Sequence, residues 1–262
     1  MGVGEMNHRE SADVGSKRAL IDLHQTECVG MLRFWDMWRG LHLSSVMHKL
    51  AEIRPIFHSE ADFQFALAWE LQRQYPTAQV RMERRFPGHA GAKSMYIDIW
   101  VELQGIQYPI ELKYQTKALQ TVVAGEVFKL RSQGAEDNLG YDFLKDLKRI
   151  ETFVETCEAP AVGHVILLAN EKLWNDRPKT NAYNKDAFRL YEGREVTGSL
   201  CWGKVYPETV ERHKPICLTG NYNLEWLPYG TDLGFQYLHL QCTKETLEPP
   251  RGIKEIRDYA QP

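Results

Sequence analysis

The run from Tyr96 to Lys117, YIDIWVELQGIQYPIELKYQTK, constrains the fold more than any other part of the chain. It holds two alternating segments joined by Gln104-Gly105. Side chains in a strand alternate between faces, so Ile97, Ile99, Val101 and Leu103 share one side while Asp98, Trp100 and Glu102 share the other. The same rule sets Tyr108, Ile110, Leu112 and Tyr114 against Glu111 and Lys113. Two such segments separated by a two-residue turn predict an antiparallel hairpin. Counting outward from Gln104-Gly105, Leu103 faces Ile106 and Asp98 faces Glu111.

That register sets up a conflict. Directly opposed residues have Cβ atoms about 4.5–5.5 Å apart, and like charges there are destabilising. A hard cation such as Mg²⁺ resolves it, because it takes carboxylate oxygens and completes its shell with water and phosphate oxygens. Lys113 follows Glu111 by two residues, roughly 6–7 Å along the same face, within reach of a phosphate or an attacking water.

The flanking sequence predicts the rest of an α/β unit. Ser59 is placed to cap a helix, with Asp62 three residues on and an apolar-rich run to Tyr75 that Pro76 ends. Strands are expected over Ala78–Phe86, Met95–Leu103 and Gln107–Tyr114. A helix is expected from Asp142 to Glu155, where Phe143, Leu147, Ile150 and Val154 recur at helical spacing. Val162–Ala169, nearly all apolar, reads as a buried strand. Further strands are expected at Ile216–Leu218 and Phe235–Leu240. Residues 1–46 read as a loosely structured leader, and a single domain is expected over 47–262. Its core spans about 55–170 and its extension 171–262.

With 262 residues and 43% apolar composition the chain can bury a full core. Lys and Arg number 32 against 35 Asp and Glu, a net charge of -3, so any nucleic-acid contact has to come from local patches. Five cysteines are odd in number and widely spaced, which predicts reduced thiols and a cytoplasmic setting. No run approaches the roughly 18 apolar residues of a membrane span, so no membrane partner is expected.

Asp98, a gap of twelve residues, and then Glu111-Leu112-Lys113 on consecutive strands after a helix and a first strand resembles the PD-(D/E)xK nuclease superfamily, the restriction-endonuclease-like fold. The resemblance covers about Pro55 to Asn170. It implies a core of order helix-strand-strand-strand-helix-strand and a metal-dependent endonuclease or exonuclease acting on nucleic acid, with DNA the expected substrate. It makes Asp98 and Glu111 ligands for Mg²⁺, for which Mn²⁺ can substitute, and Lys113 the catalytic lysine. Glu60 on the first helix matches the extra acidic ligand of many members. Ile97 stands where many members have proline before the aspartate. The second core helix often adds a polar group to the site, which makes Gln133, Tyr141 and Lys145 supporting candidates. Cleavage of both strands of a duplex would favour a homodimer.

Each of these residues also has a plainer reading. Asp98, Glu111 and Lys113 can form the wet face of a sheet. Glu60 is favoured in a first helical turn by the helix dipole alone. Tyr141 and Lys145 can be ordinary positions on an amphipathic helix, and Gln133 a loop residue. Arg81, Arg84 and Arg85, with Arg73 and Lys93, give the first-strand region a positive excess suited to phosphate. The same charges also protect an edge strand from aggregation. Gly88–Ser94 (GHAGAKS) is not a phosphate loop, since it leads into a strand and lacks a glycine before Lys93. A catalytically silent nucleic-acid-binding or scaffold module is the alternative with the same fold. A glycoside hydrolase using Asp98 and Glu111 would leave Lys113 without a role.

Overall fold

A computed structural model describes residues 40–85, 96–133, 136–175, 177, 186–203, 214–230 and 233–247. The chain divides after His42 into two units, the second of which is Leu43–Pro262. It is a mixed α/β assembly on a six-stranded sheet. Helices α1 (Leu43–Ile53) and α2 (Glu60–Gln74) lead into strands β1 (Gln79–Arg85), β2 (Tyr96–Leu103) and β3 (Ile106–Gln115). A separate hairpin, β4 (Leu119–Val123) and β5 (Glu126–Leu130), precedes α3 (Glu136–Thr156) and β6 (Gly163–Ala169). The extension adds β7 (Glu195–Leu200), β8 (Ile216–Asn223), β9 (Trp226–Pro228), β10 (Gln236–Cys242) and the short α4 (Lys244–Leu247). The main sheet runs β1-β2-β3-β6-β10-β9, and β7 pairs with β8 apart from it.

The hairpin at Gln104-Gly105 has the register read from the sequence: Leu103 pairs with Ile106 and Ile99 with Ile110. Both turn residues have positive φ, 54° and 77°, as the tight turns that match strand twist require. β6 then runs parallel to β3, connected through α3. Alternation along β3 separates the two sides of the sheet. Tyr114 packs its ring near Phe57 and Phe63 at the start of α2, while Lys113 meets Asp146 on α3.

Helix α2 begins as its sequence dictates. The Ser59 hydroxyl accepts from the Asp62 backbone N–H, and Arg54 holds both Asp62 carboxylate oxygens at 2.9 Å. Glu60 is thereby fixed as the first helical residue. Helix α3 is docked at two points. Gly163 of β6 lies so close that a Cβ there would meet Ile150 Cγ2 at 2.1 Å. Glu151, fully buried, accepts hydrogen bonds from the backbone N–H groups of Thr219 and Gly220 and from the Tyr222 hydroxyl. These contacts set the angle at which α3 presents Asp146 and Arg149 to β3.

Several features depart from the sequence expectations, among them strands β7 and β9 of the extension. Helix α1 starts at Leu43, and Leu43 and Val46 are buried, so a domain boundary at Met47 cuts off a core-forming turn. Each buried aliphatic side chain is worth about 1.5–3 kcal/mol, which is why the boundary lies earlier. The β4–β5 hairpin stands where no strand was expected; its turn uses Ala124-Gly125, both at positive φ. Helix α3 also starts earlier, at Glu136. The expected loop over Gly88–Ser94, the leader to residue 39 and Cys28 lie outside the described residues, and the other four cysteines are free thiols. Among the described residues no helix is long and apolar enough to cross a membrane.

On the α1–α2 side of the sheet, His164 Nδ1 and His239 Nε2 lie 3.0 Å apart. Burial pushes His164 well below the ordinary imidazole range and His239 down to about 4. Both rings fold as neutral groups and gain protons only on unfolding. The unfolded chain therefore binds more protons below about pH 6.5, so the pair's contribution to stability is present above that pH and is lost as pH falls toward 4. Thermal melts are expected to show a steeper acid loss for the wild type than for His239→Leu, a difference on the order of 2–3 kcal/mol by pH 4. Parallel pH profiles for the two proteins would show that the pair does not titrate in this way.

Candidate active site

The ladder between β2 and β3 stops at Ile99–Ile110, and two carboxylates take the next places along the β3 edge. The Leu112 N–H donates to Asp98 Oδ2 at 2.7 Å, and the Tyr114 N–H donates to Glu60 Oε2 at 2.9 Å. Residues i and i+2 of a strand present their N–H groups to the same side, so an opened strand edge holds two acids from two different elements. Gln64, one helical turn after Glu60, donates to the Asp98 carbonyl at 2.7 Å and fixes β2 at that point. Glu60 as a residue stays open to solvent, while its carboxylate is drawn in against β3.

Glu111 is almost wholly buried, at 2% exposure, and lies on the same sheet face as Lys113 and Asp98. Its Oε1 is held by Arg149 Nη2 of α3. Arg149 also donates to the Tyr96 carbonyl and pairs with Asp146 at 3.2 Å. Lys113 Nζ meets Asp146 at 2.6 Å. Three acids and a lysine from α2, β2 and β3 are thus joined by an acid and an arginine from α3.

The electrostatics follow from this crowding. Burial, with repulsion from Asp98 and Asp146, holds Glu60 above its ordinary range despite the Tyr114 N–H and Lys113. Burial likewise raises Asp98, opposed by the Leu112 N–H, by Lys113 and by a hydrogen bond with Glu111. Glu111 is pushed well up by burial and then by Asp146, with Arg149 pulling the other way. For Lys113, burial favours the neutral amine, yet Asp146, Glu60 and Asp98 outweigh it and raise the pKa. Lys113 is therefore an ammonium ion at neutral pH, able to donate charge but not to accept a proton.

The donor set is all carboxylate oxygen, the chemistry of a hard divalent ion. Among the described residues, Asp98 and Glu60 each keep an oxygen that no backbone N–H holds. Glu111 is turned to Arg149, and among the described residues no three His, Cys, Asp or Glu side chains converge as a ready-made metal site. The acids fit such an ion in kind, and Arg149 stands as a cation beside one of them.

The remaining sequence candidates are placed elsewhere. Tyr141 is buried against Phe188 and Trp202, and its hydroxyl donates to the Lys214 carbonyl. Lys145, half-buried on α3, makes no hydrogen bond or ion pair among the described residues. Gln133 clips the end of β3: its Oε1 accepts from the Thr116 N–H and its carbonyl from Gln115. Arg81, Arg84 and Arg85 are exposed on the edge strand β1, and Lys93 lies outside the described residues.

Asp146 and Arg149 were not read from the sequence. A signal existed: with Asp142 they fall at i, i+4 and i+7, on the flank bordering the apolar stripe of Phe143, Leu147 and Ile150. No protein-family model matches the chain, and no curated protein or solved structure matches it either.

Proposed function

We propose that this chain is a metal-dependent nuclease that hydrolyses phosphodiester bonds, with DNA as its substrate, on a restriction-endonuclease-like core. The observation that carries the reading is the pair of carboxylates, Asp98 and Glu60, held side by side on the opened edge of β3, with Glu111 next to Asp98 and a protonated Lys113 beside them. The order α2-β1-β2-β3-α3-β6, an antiparallel meander followed by a parallel strand, supports it, with the β4–β5 hairpin as an insertion.

Asp98, Glu111 and Glu60 would hold the ion. Such an ion lowers the pKa of a bound water and offsets charge on the phosphate oxygens. The chain's own residues position and stabilise. The Leu112 N–H fixes the orientation of Asp98, and Gln64 fixes its backbone. The Lys113 ammonium offers a preorganised positive charge to the phosphate, in a setting where little water screens it. Asp146 holds that ammonium at the site.

A second reading has one observation in its favour: Glu111 and Lys113 are each already paired within the protein, as suits a silent nucleic-acid-binding module. Purified protein incubated with single-stranded DNA, duplex DNA and RNA, with Mg²⁺ or chelator, separates the two. Cleavage is expected with Mg²⁺ or Mn²⁺ alone and is expected to vanish in Asp98→Asn, which stays folded. Saturating Mg²⁺ at about a hundred times its Kd should stabilise the wild type by about 2.7 kcal/mol and leave Asp98→Asn unmoved. Binding without cleavage would favour the silent module, and cleavage persisting in chelator would remove the metal from the mechanism.

A further inference from the structure

β1 changes hands at Glu83. By the register of its neighbours, Met82 with Ile99 and Arg84 with Ile97, Glu83 stands opposite Asp98. An unbroken strand would put its carboxylate on the Asp98 face. Its φ is instead 51°, a left-handed conformation uncommon outside glycine. Gln64 of α2 holds Glu83 Oε1 at 2.9 Å with the same amide nitrogen that donates to the Asp98 carbonyl. The acid is thereby turned toward α2, away from the α3 side.

The next residue is turned with it. The Arg84 guanidinium lies over the Trp100 ring, 3.9 Å from its centroid. Trp100 packs edge-on against Phe153 of α3, so it is on the α3 side of the sheet, the side of Asp98. Arg81 pairs with Trp100 in the strand register and joins it on that side. Together with Gln79, Met82 and Glu102 these residues line an open recess of about 430 Å³. Arg84 makes no hydrogen bond or ion pair among the described residues, and Arg81 bonds only the Val80 carbonyl. Trp100 adds a buried indole N–H with no acceptor among the described residues.

We infer that this recess is a phosphate subsite, in which Arg84, stacked on Trp100 and aided by Arg81, binds a phosphodiester next to the one at Asp98. The inference rests on the nuclease reading for the position of the scissile phosphate. Stacking covers the flat face of the guanidinium and leaves its edge donors free, the geometry that grips two oxygens of one phosphate. Trp100 follows Asp98 by two residues on β2, roughly 6–7 Å along the sheet face, so a strand held at Asp98 passes Arg84. Glu102, at the far end of the recess opposite Gln79, repels phosphate and sets the end at which it sits.

The test is binding of fluorescein-labelled DNA, as duplex and as single strand, to the full chain in chelator, by anisotropy across a salt series. Arg84 and Lys129 are both exposed, so Arg84→Gln and the control Lys129→Gln should fold alike. Arg84→Gln is expected to weaken binding about tenfold and to reduce the salt slope by about one phosphate contact, while Lys129→Gln changes neither. Arg84→Lys should restore the slope without full affinity, since an ammonium lacks the planar fork. Equal behaviour of Arg84→Gln and Lys129→Gln would overturn the subsite even if the wild type cleaves DNA with Mg²⁺. Loss of binding specific to Arg84→Gln in a protein that never cleaves would keep the subsite and sink the nuclease. A wild type that binds neither DNA would overturn both.

Discussion

Replacing Arg149 with alanine is expected to lower the melting temperature by roughly 5–15 °C in chelator, and Mg²⁺ is expected to return more of that loss than it adds to the wild type. The carboxylate of Glu111 is 2% exposed and its partner 26%. Removing the partner leaves a buried acid facing Asp146 and Asp98, both of which disfavour its charge. Breaking a buried pair from one side costs about 3–5 kcal/mol, and the partial exposure of Arg149 admits water and brings the expectation to about 2–4 kcal/mol. If Glu111 is a metal ligand, the guanidinium and the ion compete for the same oxygens. Without Arg149 the ion binds with no competitor, so its stabilising increment grows. The double variant Arg149→Ala/Glu111→Leu should regain much of the stability and lose the response to Mg²⁺. An Arg149→Ala protein that melts like the wild type would mean that the pair contributes nothing; a Mg²⁺ increment no larger than the wild type's would remove Glu111 from the ligand set.

What could be read in advance follows from how local the signal is. The β2–β3 hairpin is encoded by nearest neighbours: alternation fixes the faces and Gln104-Gly105 fixes the register, so the mutual approach of Asp98 and Glu111 is legible before any tertiary contact is known. The cap at Ser59 is local in the same way, and it carries Glu60 with it. The β4–β5 hairpin also turns on two residues of positive φ, but Ala124 gives no hint of that conformation, which Asn or Gly would have announced. Arg149 and Asp146 depend on how α3 rotates over β3. That rotation is set by Glu151 against β8 and by the gap at Gly163, contacts across 68 and 69 residues in the first case and between different elements in both. Periodicity identified the helix and its apolar stripe without saying which wet flank meets the sheet. Arg84 is legible as a cation suited to phosphate but not in its placement, because strict alternation puts it on the opposite face and only the left-handed Glu83 reverses it.

Lys113→Ala is expected to reduce single-turnover cleavage by about a hundredfold to a thousandfold, the usual loss when one preorganised charge is removed from a dry site. Nζ is the only part of the side chain that carries charge, and Asp146 holds it at 2.6 Å with the side chain 24% exposed. A protonated amine has no lone pair for a metal, so the variant should keep the rise in melting temperature with Mg²⁺. It should even bind the ion somewhat more tightly, since the ammonium that repels a cation is gone. The structure makes one cost explicit: Asp146 loses its closest cation and keeps Arg149 alone, so stability should fall by about 1–2 kcal/mol rather than the few tenths of an exposed pair. Melting with and without Mg²⁺ reports this architectural loss, and cleavage at saturating DNA reports the chemical one. A thousandfold rate loss accompanied by loss of the Mg²⁺ response would show that Lys113 only holds the acids in place. Wild-type cleavage by a Lys113→Ala protein that binds Mg²⁺ normally would remove the lysine from catalysis, and with it the feature that most distinguishes this cluster from a merely neutralised patch of acids.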